Sequence, residues 1–178
     1  MQYNPEHPKG KKYSFPELKK HRENWYKKVA LSDGIIISST KYRELDSKTF
    51  ERMNELLSSD ELMYFIKHNI FCSKFDDKLM YEIDRFLKEC ELPQFEFIDA
   101  DLEGLKCELE MHFKKLDNLI CTNTFNAGQS KQSIPNEWDE EQPERYNKAI
   151  KDFSELSSIL YETYSSFVKL SRRKLYLD

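Results

Sequence analysis

Apolar residues recur three and four positions apart over most of the chain, the spacing that gathers them on one face of a helix. The clearest run is Leu102, Leu105, Leu109, His112, Leu116 and Leu119, widened by Phe113 and Ile120. A second follows Pro143: Tyr146, Ile150, Phe153, Leu156, Leu160, Tyr164, Phe167 and Leu175. These stripes predict a helix over 99–121 and a final helix of about thirty residues, or about 45 Å. Both read as bundle core before coiled-coil seam, and the two helices are expected to pack antiparallel as a spine.

Shorter elements precede them. Pro16 suits a first helical position, and Leu18, Arg22, Trp25, Tyr26 and Val29 follow at helical spacing until Asp33 and Gly34 stop the run. Residues 34–42 are short and β-branched, a strand or a buried connector. Ser47 is the expected N-cap of a helix carrying Phe50, Met53, Leu56 and Leu57. The Ser-x-x-Glu pattern of Ser58 and Glu61 predicts a capping box opening the next helix, with Leu62, Phe65 and Ile66 inward. Phe75, Leu79, Ile83, Phe86, Leu87 and Cys90 form another stripe, ended by Pro93. Residues 94–98 alternate polar and apolar, a strand signal, with 35–39 as the pairing candidate. The expected fold class is mostly α: a single-domain helical bundle of about five to seven helices with a long C-terminal helix and at most two short strands. Residues 1–15 read as an extended or disordered basic arm, and 16–178 as the single helical domain.

Composition narrows the class. The chain has 178 residues with twelve Phe and ten Tyr, ample bulky material for a core, while four Gly and six Pro argue against a turn-rich β-sandwich. The longest aliphatic run is Ile35, Ile36 and Ile37, too short to span a bilayer. Residues 1–12 lack the apolar stretch of a signal peptide, so a cytoplasmic location is expected. Cys72, Cys90, Cys107 and Cys121 form no CxxC pair and are expected as reduced, partly buried thiols. His7, His21, His68 and His112 fit no structural-zinc spacing, and His68 with Cys72 supplies only two ligands on one helix face. No cofactor or metal is expected. The glycines at 10, 34, 104 and 128 build no phosphate-cradling loop, and no nucleophile elbow or di-iron Glu-x-x-His pair occurs. His112, amid an apolar stripe with Cys107 and Cys121 on the same helix, is expected to be a hydrogen-bonded core histidine rather than a catalytic one.

Charge is unevenly placed. The net charge is −4, yet residues 1–30 hold eight Lys or Arg against three Glu. A basic arm can neutralise phosphates, but here it precedes an acidic body that would repel them, so nucleic acid is not the expected partner. Residues 137–144 carry five acids and no base.

That acidic stretch closes a connector, 122–143, which is long for a loop within one domain, and such loops are usually functional or disordered. Trp138 is followed at once by Asp139, Glu140 and Glu141. An aromatic anchor beside carboxylates suits a basic protein partner. The alternative is that Trp138 folds back onto the bundle and the acids favour the start of the final helix. The partner-binding residues are therefore expected to be Trp138, Asp139, Glu140 and Glu141, with truncation of Trp138 costing binding and sparing stability. The leading function is a non-catalytic protein-interaction module, of the kind a bacterial antitoxin or toxin-immunity protein represents, neutralising a basic toxin by surface complementarity. A small helical enzyme with an unrecognised site and a nucleic-acid-associated protein using the basic arm are the alternatives. A monomer is favoured, with a dimer through Leu170, Leu175, Tyr176 and Leu177 at the end of the last helix as the other arrangement.

Overall fold

Helices follow the apolar stripes through most of the computed structural model, which describes residues 39–57, 62–68, 71 and 73–176. In chain order they are α1 (Ser39–Leu57), α2 (Leu62–His68), β1 (Phe75–Asp76), α3 (Lys78–Cys90), a 3-10 turn (Pro93–Phe95), α4 (Ala100–Asn123), β2 (Phe125–Asn126), β3 (Lys131–Ser133), α5 (Glu137–Glu141) and α6 (Pro143–Leu175). The fold is mostly α, with six helices among the described residues and a C-terminal helix of 33 residues, about 50 Å long. From Lys41 onward the chain forms one compact unit. No helix of the described residues is long and apolar enough to cross a membrane.

The spine is α4 against α6, and contacts at both ends make it antiparallel. Lys174, in the last turn of α6, reaches Asp99 and Asp101 at the start of α4 at 2.7 and 2.9 Å. At the other end Arg145 donates to the Thr122 carbonyl at 3.4 Å. Between these ends the buried faces meet: Leu102, Leu109, Phe113, Leu116 and Ile120 of α4, and Phe153, Leu156, Leu160 and Phe167 of α6. Local chemistry sets the helix ends. The Asp99 carboxylate caps α4 by accepting the Asp101 and Leu102 N–H groups at 2.9 and 3.1 Å. Pro143 opens α6, and Arg172, Arg173 and Lys174 lie where the helix dipole favours cations.

Rings fill the space between the spine and the shorter helices. Phe71 stacks on Phe153 at 5.2 Å with 11° between planes, and Phe65, Phe71 and Phe75 meet one another edge to face. Phe86 of α3 packs on Phe113 of α4 at 4.8 Å. Helix α1 lays Phe50 against Phe167 and Tyr176. It also covers the C-terminal end of α6, where the Arg43 Nε–H donates to the Leu175 carbonyl at 3.1 Å. Leu175 is buried rather than standing free as a dimer surface, because α1 is already there.

Several expectations are corrected. Residues 39–42, expected within a strand or connector, belong to α1, so Ser47 lies inside the helix instead of capping it. Its hydroxyl donates to the Arg43 carbonyl four residues back, the bond a mid-helix serine makes when no free N–H is within reach. The arm 1–15, the helix expected after Pro16, residues 35–38 of the strand candidate 35–39 and the capping box from Ser58 to Glu61 lie outside the described residues. Phe75 falls in β1 rather than at the head of a helix, since the hydrogen-bonded turn that opens α3 starts only at Asp77.

Residues 94–98 show why alternation alone misleads. Phe95 and Phe97 are buried and Glu96 is exposed, as the pattern requires. The segment is nevertheless a 3-10 turn followed by extended chain, because carboxylates take the place of a neighbouring strand. Glu103 accepts the Phe97 N–H at 2.8 Å, and Asp46 accepts the Ile98 and Asp99 N–H groups at 2.7 and 2.9 Å.

The connector 122–143 is structured. It holds β2, β3 and α5, and the three strands form one small antiparallel sheet in the order β1-β3-β2, one strand more than expected. Phe75 pairs with Gln132, and Phe125 with Ser133. The tip of the hairpin places Gln129 and Ser130 at φ 54° and 56°, with the Lys131 N–H returning to the Gly128 carbonyl at 3.1 Å. Two left-handed central residues are the mark of a type I′ turn, for which Asn-Gly is the favoured pair. Replacing Gln129 by Asn and Ser130 by Gly is expected to raise unfolding free energy by about 0.5–1 kcal/mol in total. Urea denaturation at equilibrium reads this, and an unchanged or lower midpoint would count against strain at the turn.

Candidate functional site

The acidic connector sits at the end of the spine where α4 finishes and α6 begins. Thr124 ends α4 in extended backbone, its N–H and hydroxyl both donating to the Ile120 carbonyl at 2.9 Å. The hairpin then carries the chain out and back, and Ile134 returns it to the core. Helix α5 is a single turn closed by the Gln142 N–H on the Trp138 carbonyl at 3.0 Å. Gln142, at φ −140° and ψ 58°, breaks the helix before Pro143 restarts it as α6.

Trp138 points inward and is only 7% exposed. Phe125 meets its ring edge to face at 5.7 Å, and the Arg145 guanidinium carbon lies 3.6 Å from its centroid. Asp139, Glu140 and Glu141 face solvent, as do Glu137 and Glu144. Among the described residues none of these five carboxylates is ion-paired, whereas Glu55, Asp84, Glu110 and Glu155 elsewhere on the surface each hold a Lys or Arg. The structure thus leaves the predicted acids exposed and separates the predicted anchor from solvent. Two residues outside the expected partner-binding set complete the arrangement: Phe125, 51% exposed beside the indole, and Arg145 lying over it. The only hint in the sequence was that Arg145 follows Trp138 by seven positions, two turns of a continuous helix.

A second polar cluster lies deep in the fold. The Lys106 side chain is 2% exposed, and its ammonium reaches Glu103 Oε1 at 3.0 Å and the Phe95 carbonyl at 3.1 Å. The Cys107 thiol donates to the same carboxylate oxygen at 3.4 Å. Burial pushes the Asp46 carboxyl above its ordinary range, against the two backbone N–H bonds that favour its charged form. Together Asp46, Glu103 and Lys106 bind the connector 93–99 to α1 and α4. These bonds tie three segments of the chain to one another in the interior, the work of a structural network.

The remaining candidates are quieter. His112 is half-buried with its Nδ1 unpartnered, and burial lowers its pKa, with Lys115 adding to the shift. Burial raises the Cys90 thiol to about 12 and the Cys107 thiol to about 11, so both are protonated and weakly nucleophilic at neutral pH. Cys121 is exposed, and Cys72 lies outside the described residues. An open groove of about 420 Å³ runs along α4, lined by Cys107, Glu110, Met111, Lys114, Lys115 and Asn118. Among the described residues no three His, Cys, Asp or Glu converge as metal ligands.

Comparison with protein-family models, with curated proteins and with solved structures finds no match.

Proposed function

We propose that the chain is a non-catalytic interaction protein that binds a basic protein partner in the cytoplasm, in the manner of a bacterial antitoxin or toxin-immunity protein. One observation carries the reading. Five exposed carboxylates of 137–144 have no ion-pair partner among the described residues, at the end of a pair of long helices. Exposed carboxylates without partners of their own can be met by the cations of a complementary basic surface. Neutralising a toxin requires only such complementarity, with no bond made or broken.

Replacing Asp139 by Asn and Glu140 and Glu141 by Gln tests this directly. Association with a basic partner recovered by affinity capture is expected to slow by roughly tenfold at low salt, with a flatter dependence on ionic strength. Stopped-flow mixing at several salt concentrations measures both. The thermal midpoint should hold, since these side chains are exposed. An association rate indifferent to the three charges would refute the proposal.

A further inference from the structure

Arg145 occupies a place on Trp138 that suits a ligand. A flat guanidinium over an indole face is how proteins receive arginine side chains, combining cation–π attraction with planar stacking. Here the guanidinium belongs to the chain itself, with its carbon 3.6 Å from the ring centroid. Its other attachments are slight. Arg145 is exposed, and its N–H groups donate to Gln142 Oε1 at 3.3 Å and the Thr122 carbonyl at 3.4 Å, both at the long end for hydrogen bonds. It forms no ion pair with the carboxylates of 137–144 among the described residues. Beneath it the indole is fixed: Phe125 walls one side, and the Gln142 and Asp139 N–H bonds close the turn that carries it.

We propose that Arg145 is an internal stand-in, and that an arginine of the basic partner displaces it and stacks on Trp138. Phe125, half exposed at the rim, supplies the side wall, and Asp139, Glu140 and Glu141 supply the charge that draws the incoming side chain. The inference rests on the reading of a basic partner given above and specifies the residue type that partner presents. Arginine is preferred over lysine because an ammonium cannot lie flat on the ring. Until the exchange occurs, Arg145 keeps solvent off the indole.

The test uses the full chain with Trp25 replaced by Phe, leaving Trp138 as the sole indole, and hexa-arginine and hexa-lysine peptides as probes. Hexa-arginine is expected to change Trp138 fluorescence and to bind more tightly than hexa-lysine. Arg145→Ala, which vacates the face, should raise hexa-arginine affinity by roughly three- to fivefold. Lys148→Ala removes the same charge from the same helix and isolates the general electrostatic gain. A gain for Arg145→Ala no larger than for Lys148→Ala would overturn the exchange. If neutralising the three acids still weakened hexa-arginine binding, the acidic surface would survive that failure. Binding of neither peptide to any variant would overturn both readings. Arg145→Gln, which keeps the hydrogen bond to Thr122 within reach, serves as the second variant if Arg145→Ala folds poorly.

Discussion

Glu103→Ala is expected to lower unfolding free energy by about 3–5 kcal/mol, the range for breaking a buried ion pair. The reason is what remains behind. Lys106, 2% exposed, would keep a charged ammonium in the core with only the Phe95 carbonyl to receive it. The Phe97 N–H would lose its acceptor at the same time. In a chain of this size such a loss displaces the thermal midpoint by on the order of ten degrees. Lys106→Met alone should also destabilise, because the Glu103 carboxylate is then buried without its cation. The double variant Glu103→Leu with Lys106→Met should recover a large part of the loss, since apolar side chains of similar volume remove both desolvation costs. Chemical denaturation of the parent chain, these three variants and Glu103→Leu, which closes the double-mutant cycle with Lys106→Met, provides the measurement. A cost under ~1 kcal/mol for Glu103→Ala would mean that water reaches the pair, in which case it does not hold the connector.

This pair also shows where sequence patterning stops. Glu103 and Lys106 are three apart on α4, a spacing that reads as an ordinary exposed pair on a helix surface. Their burial follows from Phe95 and Phe97 folding over them from the preceding segment. The stripes of α4 and α6 were legible because each repeats many times on one face, so single exceptions such as His112 do not blur the period. The start of α1 was not. Ile35, Ile36 and Ile37 with the two serines and threonine that follow carry β propensity, and tertiary contacts of Asp46 and Phe50 favour helix across 39–57 regardless. The hairpin escaped notice because its strands have two and three residues and its turn lacks the Asn-Gly signal. The exposed acids of the candidate site followed from composition. The setting of Trp138 did not, because it depends on Phe125 from the hairpin and Arg145 from the next helix.

Trp138→Ala is therefore expected to reduce stability, contrary to the role of a freely exposed anchor. Removing a buried Trp costs about 3–5 kcal/mol in a closed core. The lower end applies here, because one wall of the site is the exposed side chain of Arg145 and another is the half-exposed ring of Phe125, so water can enter the space left behind. The thermal midpoint should fall by several degrees, while far-UV circular dichroism at low temperature stays near that of the parent chain. The latter holds because α4 and α6 keep their own contacts from Leu102 to Ile120 and from Phe153 to Leu175. A loss of partner affinity in Trp138→Ala would then mix two effects, and Trp138→Phe separates them. A phenyl ring retains most of the packing against Phe125 but offers a smaller and weaker face to a guanidinium. If Trp138→Phe keeps the midpoint within a few degrees and still weakens binding, the indole contributes to recognition directly. If affinity follows the midpoint through both variants, Trp138 acts only by holding the acidic edge in place. Calorimetry on both variants alongside the three-acid variant distinguishes these outcomes, since only the acids are expected to alter association without touching stability.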